Sequence, residues 1–405
     1  MHAHFTFVLC LLAALLGAGE LRAEAQAGEH FTLDAALSAL RSHPALQGAE
    51  SAIDAAKADQ VVAKLWQNPS VAFNYTPGVR NSSYDHAGYL YYGITQFLEL
   101  SNAPGARKEA ANLLIAATRA DRQALFVSLA LDVETALINV VAAERKVILI
   151  GQALSLLTQA ADIVEKRVAA GGSPRYDQTR IGVTVAIAHA DRDEAQAAHA
   201  RAWAELHAAV GPGMEQLRGT PDYPLENGRA LPDAKTLLNV LEKQRPDLEA
   251  AEKRVAAASA QITAAKRGVW SGLSVSALGG FGAAPGQIDV GVGLSSAVPV
   301  VDRGQGTVAL AQRRARQAQS YRDTVLMPAA LRIVGMREEV LTRQQALETY
   351  LGRAVASSEE MLQEAQAGYL AGRFSVLELA DAYGAFRESR LRAIDLAASA
   401  RQAEV

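Results

Sequence analysis

The chain repeats itself once, at an offset of 202 residues. Pro44, Leu46, Ala49, Glu50, Ala55, Ala56, Ala58, Ala63 and Lys64 meet identical residues at Pro246, Leu248, Ala251, Glu252, Ala257, Ala258, Ala260, Ala265 and Lys266. Downstream the correspondence holds to within a residue or two. Such a period is far too long for a solenoid repeat, so one large unit is written twice. Each copy holds a helix, a stretch of low charge and a very long helix.

The low-charge stretches carry a strand signal. Residues 65–98 contain only Arg80 and Asp85 as charges, where the 20% average of the chain would place about seven. Tyr75, Tyr84, Tyr89, Tyr91 and Tyr92 concentrate there. Val71, Phe73 and Tyr75 alternate with Ala72, Asn74 and Thr76. Leu90, Tyr92 and Ile94 alternate with Tyr91, Gly93 and Thr95. Period two marks strands, and Pro77–Gly88 joins them as a hairpin. In the second copy, residues 268–301 hold one charge, Asp289. Leu273, Val275 and Ala277 alternate with serines, and Ile288, Val290, Val292 and Leu294 alternate with Asp289, Gly291, Gly293 and Ser295. One face is dry and the other small and polar. A half-buried soluble sheet has this pattern, and so does a transmembrane β-barrel. Four strands cannot close a barrel, and open edges are not tolerated in lipid, so a membrane role requires several chains to share one barrel.

After each strand pair the pattern changes to helix. No proline lies between Pro104 and Pro174, and Gly151 is the only glycine between Gly105 and Gly171. A helix of that length reaches roughly 100 Å. Leu125, Leu129, Val133, Leu137 and Val140, then Leu154, Leu157, Ala160, Val164 and Val168, give it coiled-coil spacing. Breaks at Gly171-Gly172-Ser173-Pro174 and Ala371-Gly372-Arg373 are each followed by a returning helix, Arg175–Val210 and Phe374–Glu404. Pro328 and Gly335 interrupt the second rod, where a proline is expected to kink it. No later segment reads as a transmembrane helix. The expected organisation is a signal peptide over 1–25, a first unit over 26–210, a Gly/Pro-rich linker over 211–232 and a second unit over 233–405. The first unit holds strands about 69–98, a helical hairpin about 103–210 and its tip at 170–174. The second holds strands about 271–299, a hairpin about 303–405 and its tip at 370–374.

The signal peptide is read from the apolar Phe5–Leu16 and from small residues at Ala23, Ala25 and Ala27. Cys10, the single cysteine, lies inside it, so disulfides and thiolate metal sites are excluded from the mature chain. Its neighbours Phe7, Val8 and Leu9 argue against lipidation. The net charge of −3 and the lack of a basic run give no case for a nucleic-acid partner. Phosphate-loop, H-E-x-x-H and calcium-loop motifs are absent. Gly291-x-Gly293 leads to Pro299 rather than to a helix, and His189, His199 and His207 are too far apart along one helix for a single ion. No catalytic constellation can be assigned, no cofactor is implied, and the chain does not read as an enzyme.

The order of elements resembles the TolC-type outer-membrane efflux channels over essentially the whole mature chain, and within them the CzcC-like branch of heavy-metal efflux systems. The residues that carry the resemblance are Thr32-Leu33-Asp34-x-Ala36-Leu37, His43-Pro44-x-Leu46, Gln96-Phe97-Leu98-Glu99-Leu100 and Gly105-x-Arg107. In the second copy they are Arg245-Pro246-Asp247-Leu248, Gly293-Leu294-Ser295 and Val301-Asp302-Arg303-x-Gln305-Gly306. The resemblance implies a mainly α fold with a small β part: duplicated long helical hairpins forming a periplasmic coiled-coil barrel, and four strands per protomer in a shared trimeric transmembrane barrel. It implies a homotrimer in outer-membrane lipid, fed by an inner-membrane pump of the resistance-nodulation-division type through a periplasmic membrane-fusion adaptor. It also implies a gate at the hairpin tips. Counted from the tip glycines, Asp177, Tyr369, Glu378 and Asp381 match a tyrosine and acidic gate positions. Arg373 falls one place before the position of the family's gate arginine, which Phe374 occupies here. Gly171, Gly172, Ser173, Gly372 and Phe374 form the tips expected to meet the adaptor. Glu378 and Asp381 are i, i+3 neighbours, and acids ringed around a narrow mouth favour cations. A duct for drugs or secreted peptides, a periplasmic coiled-coil adaptor and a soluble coiled-coil scaffold are the alternatives.

Overall fold

The computed structural model describes residues 30–405, apart from 79, 82, 83, 86, 87, 227, 229, 271 and 282–287. The expected signal segment, with Cys10, lies outside the described residues. The first copy opens with β1 (His30–Phe31) and α1 (Leu33–Ala39), which runs on into a 3-10 turn, Leu40–Ser42. Thr32 caps α1 by accepting a hydrogen bond from the Ala35 N–H. Pro44 then starts α2 (Pro44–Lys64), where a residue without an N–H is best tolerated. Next come β2 (Ser70–Thr76), a short ladder of β3 (Arg80–Asn81) with β4 (Tyr84–Asp85), and β5 (Tyr89–Leu98). The 67-residue α3 (Ala103–Ala169) and the returning α4 (Arg175–Val210) complete the copy.

The mid-chain segment contains a 3-10 turn, Gly211–Gln216, and β6 (Thr220–Pro221), which pairs in parallel with β1. The second copy follows: α5 (Ala234–Gln244), α6 (Pro246–Arg267), β7 (Leu273–Phe281), β8 (Ile288–Ser295) and α7 (Gln305–Tyr350). A π-helical turn, Leu351–Val355, joins α7 to α8 (Ala356–Leu370), and α9 (Val376–Glu404) returns. The duplication extends to the backbone. Asn102 (φ 54°) and Gly304 (φ 70°), 202 residues apart, both take the left-handed conformation that turns the chain from the sheet into a rod.

Two expectations about the rods are corrected. Pro328 and Gly335 do not interrupt the second rod: helix runs unbroken from Gln305 to Tyr350. A proline removes one hydrogen bond of the ladder, and the turns on either side keep theirs. The irregularity falls instead at the π turn. Also, α3 does hold a stretch apolar enough to cross a membrane, with mean hydropathy 1.8. A span needs about 20 residues, so α3 is far too long, and its apolar residues have another use. Val133, Leu137, Ile138 and Val140 are fully buried in a core shared with Leu40 and Leu46, Leu206 and Val210, the linker's Met214, Tyr223 and Leu225, and Ala397 and Ala400 of α9. This core lies midway along the rod, about 45 Å from either end at 1.5 Å per residue. A second core nearer the tips joins Leu154, Leu157, Val164 and Ile181 of the first copy to Leu362, Tyr369, Leu379 and Tyr383 of the second.

The strands form one antiparallel sheet in the order β2-β5-β7-β8. The two copies meet at its centre, where Leu90 to Leu98 pair with Phe281 to Leu273. Opposed residues share a face in an antiparallel sheet. Val71, Ile94, Ala277 and Val292 therefore line up on one face, as do Phe73, Tyr92, Gly279 and Val290. The other face carries rows such as Asn74, Tyr91, Gly280 and Asp289. Among the described residues, β2 and β8 each have one unpaired edge.

Candidate functional site

Both hairpin tips close by the same physics. In the first, Gly172 N–H bonds to Arg167 O (2.8 Å) and Gly171 N–H to Val168 O (3.0 Å). In the second, Arg373 N–H bonds to Gly368 O (2.8 Å) and Gly372 N–H to Tyr369 O (3.0 Å). These are Schellman turns, and the left-handed Gly171 (φ 75°) and Gly372 (φ 70°) make them possible. Gly171, Gly172 and Gly372 are exposed, and Ser173 is half-exposed, beside Pro174. Phe374 is only partly exposed, because its ring lies over Gly368 and leaves no room there for a Cβ.

The returning helix of the second copy begins at Val376, two residues later than expected. Ser375 is its cap. Glu378 N–H donates to Ser375 Oγ (3.4 Å), and Glu378 Oε2 accepts from Ser375 N–H (2.6 Å) and from the Ser375 hydroxyl (2.9 Å). This is a capping box, and Ser375-x-x-Glu378 is its sequence signature. The two Ser375 donors hold the Glu378 carboxyl below its ordinary range. Asp381 is exposed one turn further along the same helix, and Asp177 is half-exposed in the first turn of α4. Among the described residues, Asp177, Asp381 and Arg373 form no ion pair within the chain. The acids are thus presented at the tips, while their mutual distances depend on how copies assemble.

Tyr369 is placed differently. It is buried at 3% exposure, and the arginine beside it is Arg167 of the first copy, not Arg373. Arg167 lies over the Tyr369 ring at 4.9 Å and donates from Nη1 to Tyr369 O at 2.9 Å. Residues 202 apart are therefore clasped, one from each hairpin. Deeper in the bundle, Arg387 pairs with Asp191, again joining second copy to first. The Tyr369 hydroxyl is buried without a hydrogen-bond partner among the described residues. Sequence reasoning missed Arg167, because nothing local distinguishes it from other arginines of the rod. Ser375 was detectable from its spacing to Glu378.

At the other end, the carriers of the family resemblance fix the turn between sheet and rod. Arg107 grips Glu99 with two bonds of 2.7 Å each, and Asn102 crowds the space over Gly105. In the second copy Asp302 Oδ1 accepts from Gly304 N–H at 2.8 Å. On the polar face of the sheet, the Tyr89 hydroxyl donates to Asp289 Oδ2 at 3.0 Å.

A family model described as outer membrane efflux protein matches residues 36–212 and 237–405. None of the curated proteins matches the chain. Several solved structures share its fold. A structure of CusC is 19% identical, with a TM-score of 0.75 over 96% of this chain and 94% of that one. VceC from Vibrio cholerae is 18% identical, with a TM-score of 0.71 over 92% and 94%. The open state of MtrE from Neisseria gonorrhoeae is 20% identical, with a TM-score of 0.69 over 92% and 86%. At these identities the structures establish the fold, long helices with a small sheet, and the family model establishes the kinship. The family is one of transport channels, not of enzymes.

Proposed function

The chain belongs to the outer membrane efflux protein family, and from that premise we propose that three copies close one channel through the outer membrane. Each contributes its four strands to a shared barrel and its helices to a periplasmic tunnel, which receives cargo from an inner-membrane pump through an adaptor at the hairpin tips. The observation that carries this is the sheet. Its apolar face is bare, with Val290 85% and Val292 88% exposed, and both edges are open. Water would punish that face, and lipid would punish those edges. Three-fold closure, β8 of one copy beside β2 of the next, resolves both.

We assign the cargo to heavy-metal cations, on the likeness to the CzcC-like branch and on the unpaired acids Asp177 and Asp381 at the tips. The purified protein should form trimers in detergent and open discrete conductances in planar bilayers. Monomers, or bilayers that stay silent, would sink the channel reading. Asp381→Asn tests the cargo more cleanly than a change at Glu378, which also caps a helix. It should lower cation selectivity, and an unchanged reversal potential would favour a duct for drugs or peptides.

A further inference from the structure

We propose that the helix-side ends of the four strands carry a belt that seats in the headgroup region of a glycerophospholipid leaflet, an inference that rests on the barrel reading above. All four ends expose large apolar groups. Leu65 and Trp66 precede β2, Leu100 follows β5, Trp270 precedes β7, and Val298, Val300 and Val301 follow β8. Trp66 is 58% exposed and Trp270 43%. Each lies within six residues of a strand end, so the belt continues the bare apolar face of the sheet.

Trp270 is oriented rather than loose. Its Nε1–H donates to Ser296 Oγ at 3.1 Å, and that hydroxyl donates to Gly272 O at 2.8 Å. The indole is thereby held across the gap between the start of β7 and the end of β8. Indoles with one dry side and one polar edge collect where acyl chains meet headgroups.

Charge follows one step beyond the belt. Lys64 lies two residues before Trp66, Lys266 and Arg267 lie just before Trp270, and Arg303 lies two after Val301; all four are exposed. Two acids share this level, and both are engaged. Glu99 is gripped by Arg107, and Asp302 accepts from Gly304 N–H. The sequence of layers is therefore apolar strand, indole and valine, then cation. That order matches acyl chain, glycerol and phosphate, each near-surface cation contributing about 1 kcal/mol toward an anionic leaflet.

Tryptophan emission reads this out directly, because the chain has three tryptophans. The third, Trp203, packs against the Phe31 ring at 6.3 Å in the mid-rod core and serves as an internal dry reference. The full protein is reconstituted into phosphatidylethanolamine–phosphatidylglycerol vesicles doped with phosphatidylcholine brominated near the headgroup or near the chain ends. Wild-type emission should fall by about half, more with the shallow label, as interfacial indoles require. The double variant Trp66→Phe/Trp270→Phe should be nearly unquenched. A Val292→Trp variant on the bare strand face separates the two readings, since it should be quenched by the deep label. If Val292→Trp is quenched while Trp66 and Trp270 are not, the belt is covered by a neighbouring copy or an adaptor, and this inference is overturned. If Val292→Trp is unquenched as well, the barrel reading itself fails.

Discussion

At the residue scale, Arg167 and Tyr369 are the pair with the clearest energetic meaning. A guanidinium over an aromatic ring contributes about 0.5–2 kcal/mol, and a charged donor on a carbonyl about 1.5–3. Because the two residues belong to different hairpins, that energy holds the hairpins together at the end where they must part to admit cargo. Arg167→Ala should loosen the clasp by about 2 kcal/mol, roughly a 30-fold shift toward open tips. It should appear as raised resting conductance in planar bilayers. Tyr369→Phe keeps the ring and the carbonyl and removes only a hydroxyl that has no partner in the chain. Its conductance should stay near wild type, and equal leakage from both variants would show that the ring contact is not the clasp. Glu378 yields a second prediction. Its pKa is lowered by hydrogen bonds to the charged form, so the stabilisation is fully present above the ordinary glutamate range. It is lost as pH falls through the lowered value. Carboxylate NMR should place Glu378 below other exposed glutamates. Ser375→Ala should return it to their range and cost the start of α9 about 1 kcal/mol.

At the element scale, the π turn explains how an imperfect rod stays in register. Both rods need a face that meets the tip-proximal core, and the second must deliver Leu362, Ala365 and Tyr369 to it. A π turn closes i→i+5 bonds and takes up one residue more than an α turn. Deleting Gly352 within it should convert the turn to α and leave the downstream face in phase. Deleting Gln363 should rotate all that follows by about 100°, swinging Tyr369 out of the core at a cost of about 3–5 kcal/mol. Thermal melting of the two variants checks this: a Gly352 deletion as damaging as the Gln363 deletion would refute the phasing argument. The π turn had no signature in the sequence, whereas Pro328 advertised a kink that the helix does not need. Strands and rods were legible, because period two at Val71–Tyr75 and the glycine- and proline-poor run after Gly105 are local signals. The β5–β7 pairing was not, since it joins residues about 180 apart and depends on how the two copies dock. The same holds at the tips: the glycines announced the turns, but Arg167 was recognisable only once the hairpins lay side by side.

At the scale of the whole molecule, the duplication and the membrane make one argument. Two copies give one sheet of two hairpins and two rods of nearly equal length, with a single core at mid-rod that also holds the linker. Nothing in that arrangement shields the sheet, and the bare face is as wide as the four strands. If the sheet closes three-fold in lipid, its two faces must answer oppositely to charge. Val290 stands on the apolar face in the same row as Phe73 and Tyr92. Gly291, its neighbour in the chain, stands on the polar face, and no atom lies within 4 Å of the position its Cβ would take. A lysine on the lipid face near the midplane costs about 2–4 kcal/mol. Val290→Lys should therefore reduce the yield of heat-modifiable trimer recovered from the outer membrane. Gly291→Ser, facing the lumen and meeting nothing, should leave yield and melting unchanged. A soluble sheet with a water-facing side would reverse this: it would tolerate lysine at an 85%-exposed position, and the ranking of the two variants would collapse. The comparison therefore tests the membrane assignment through one strand, independently of any gate, cargo or partner.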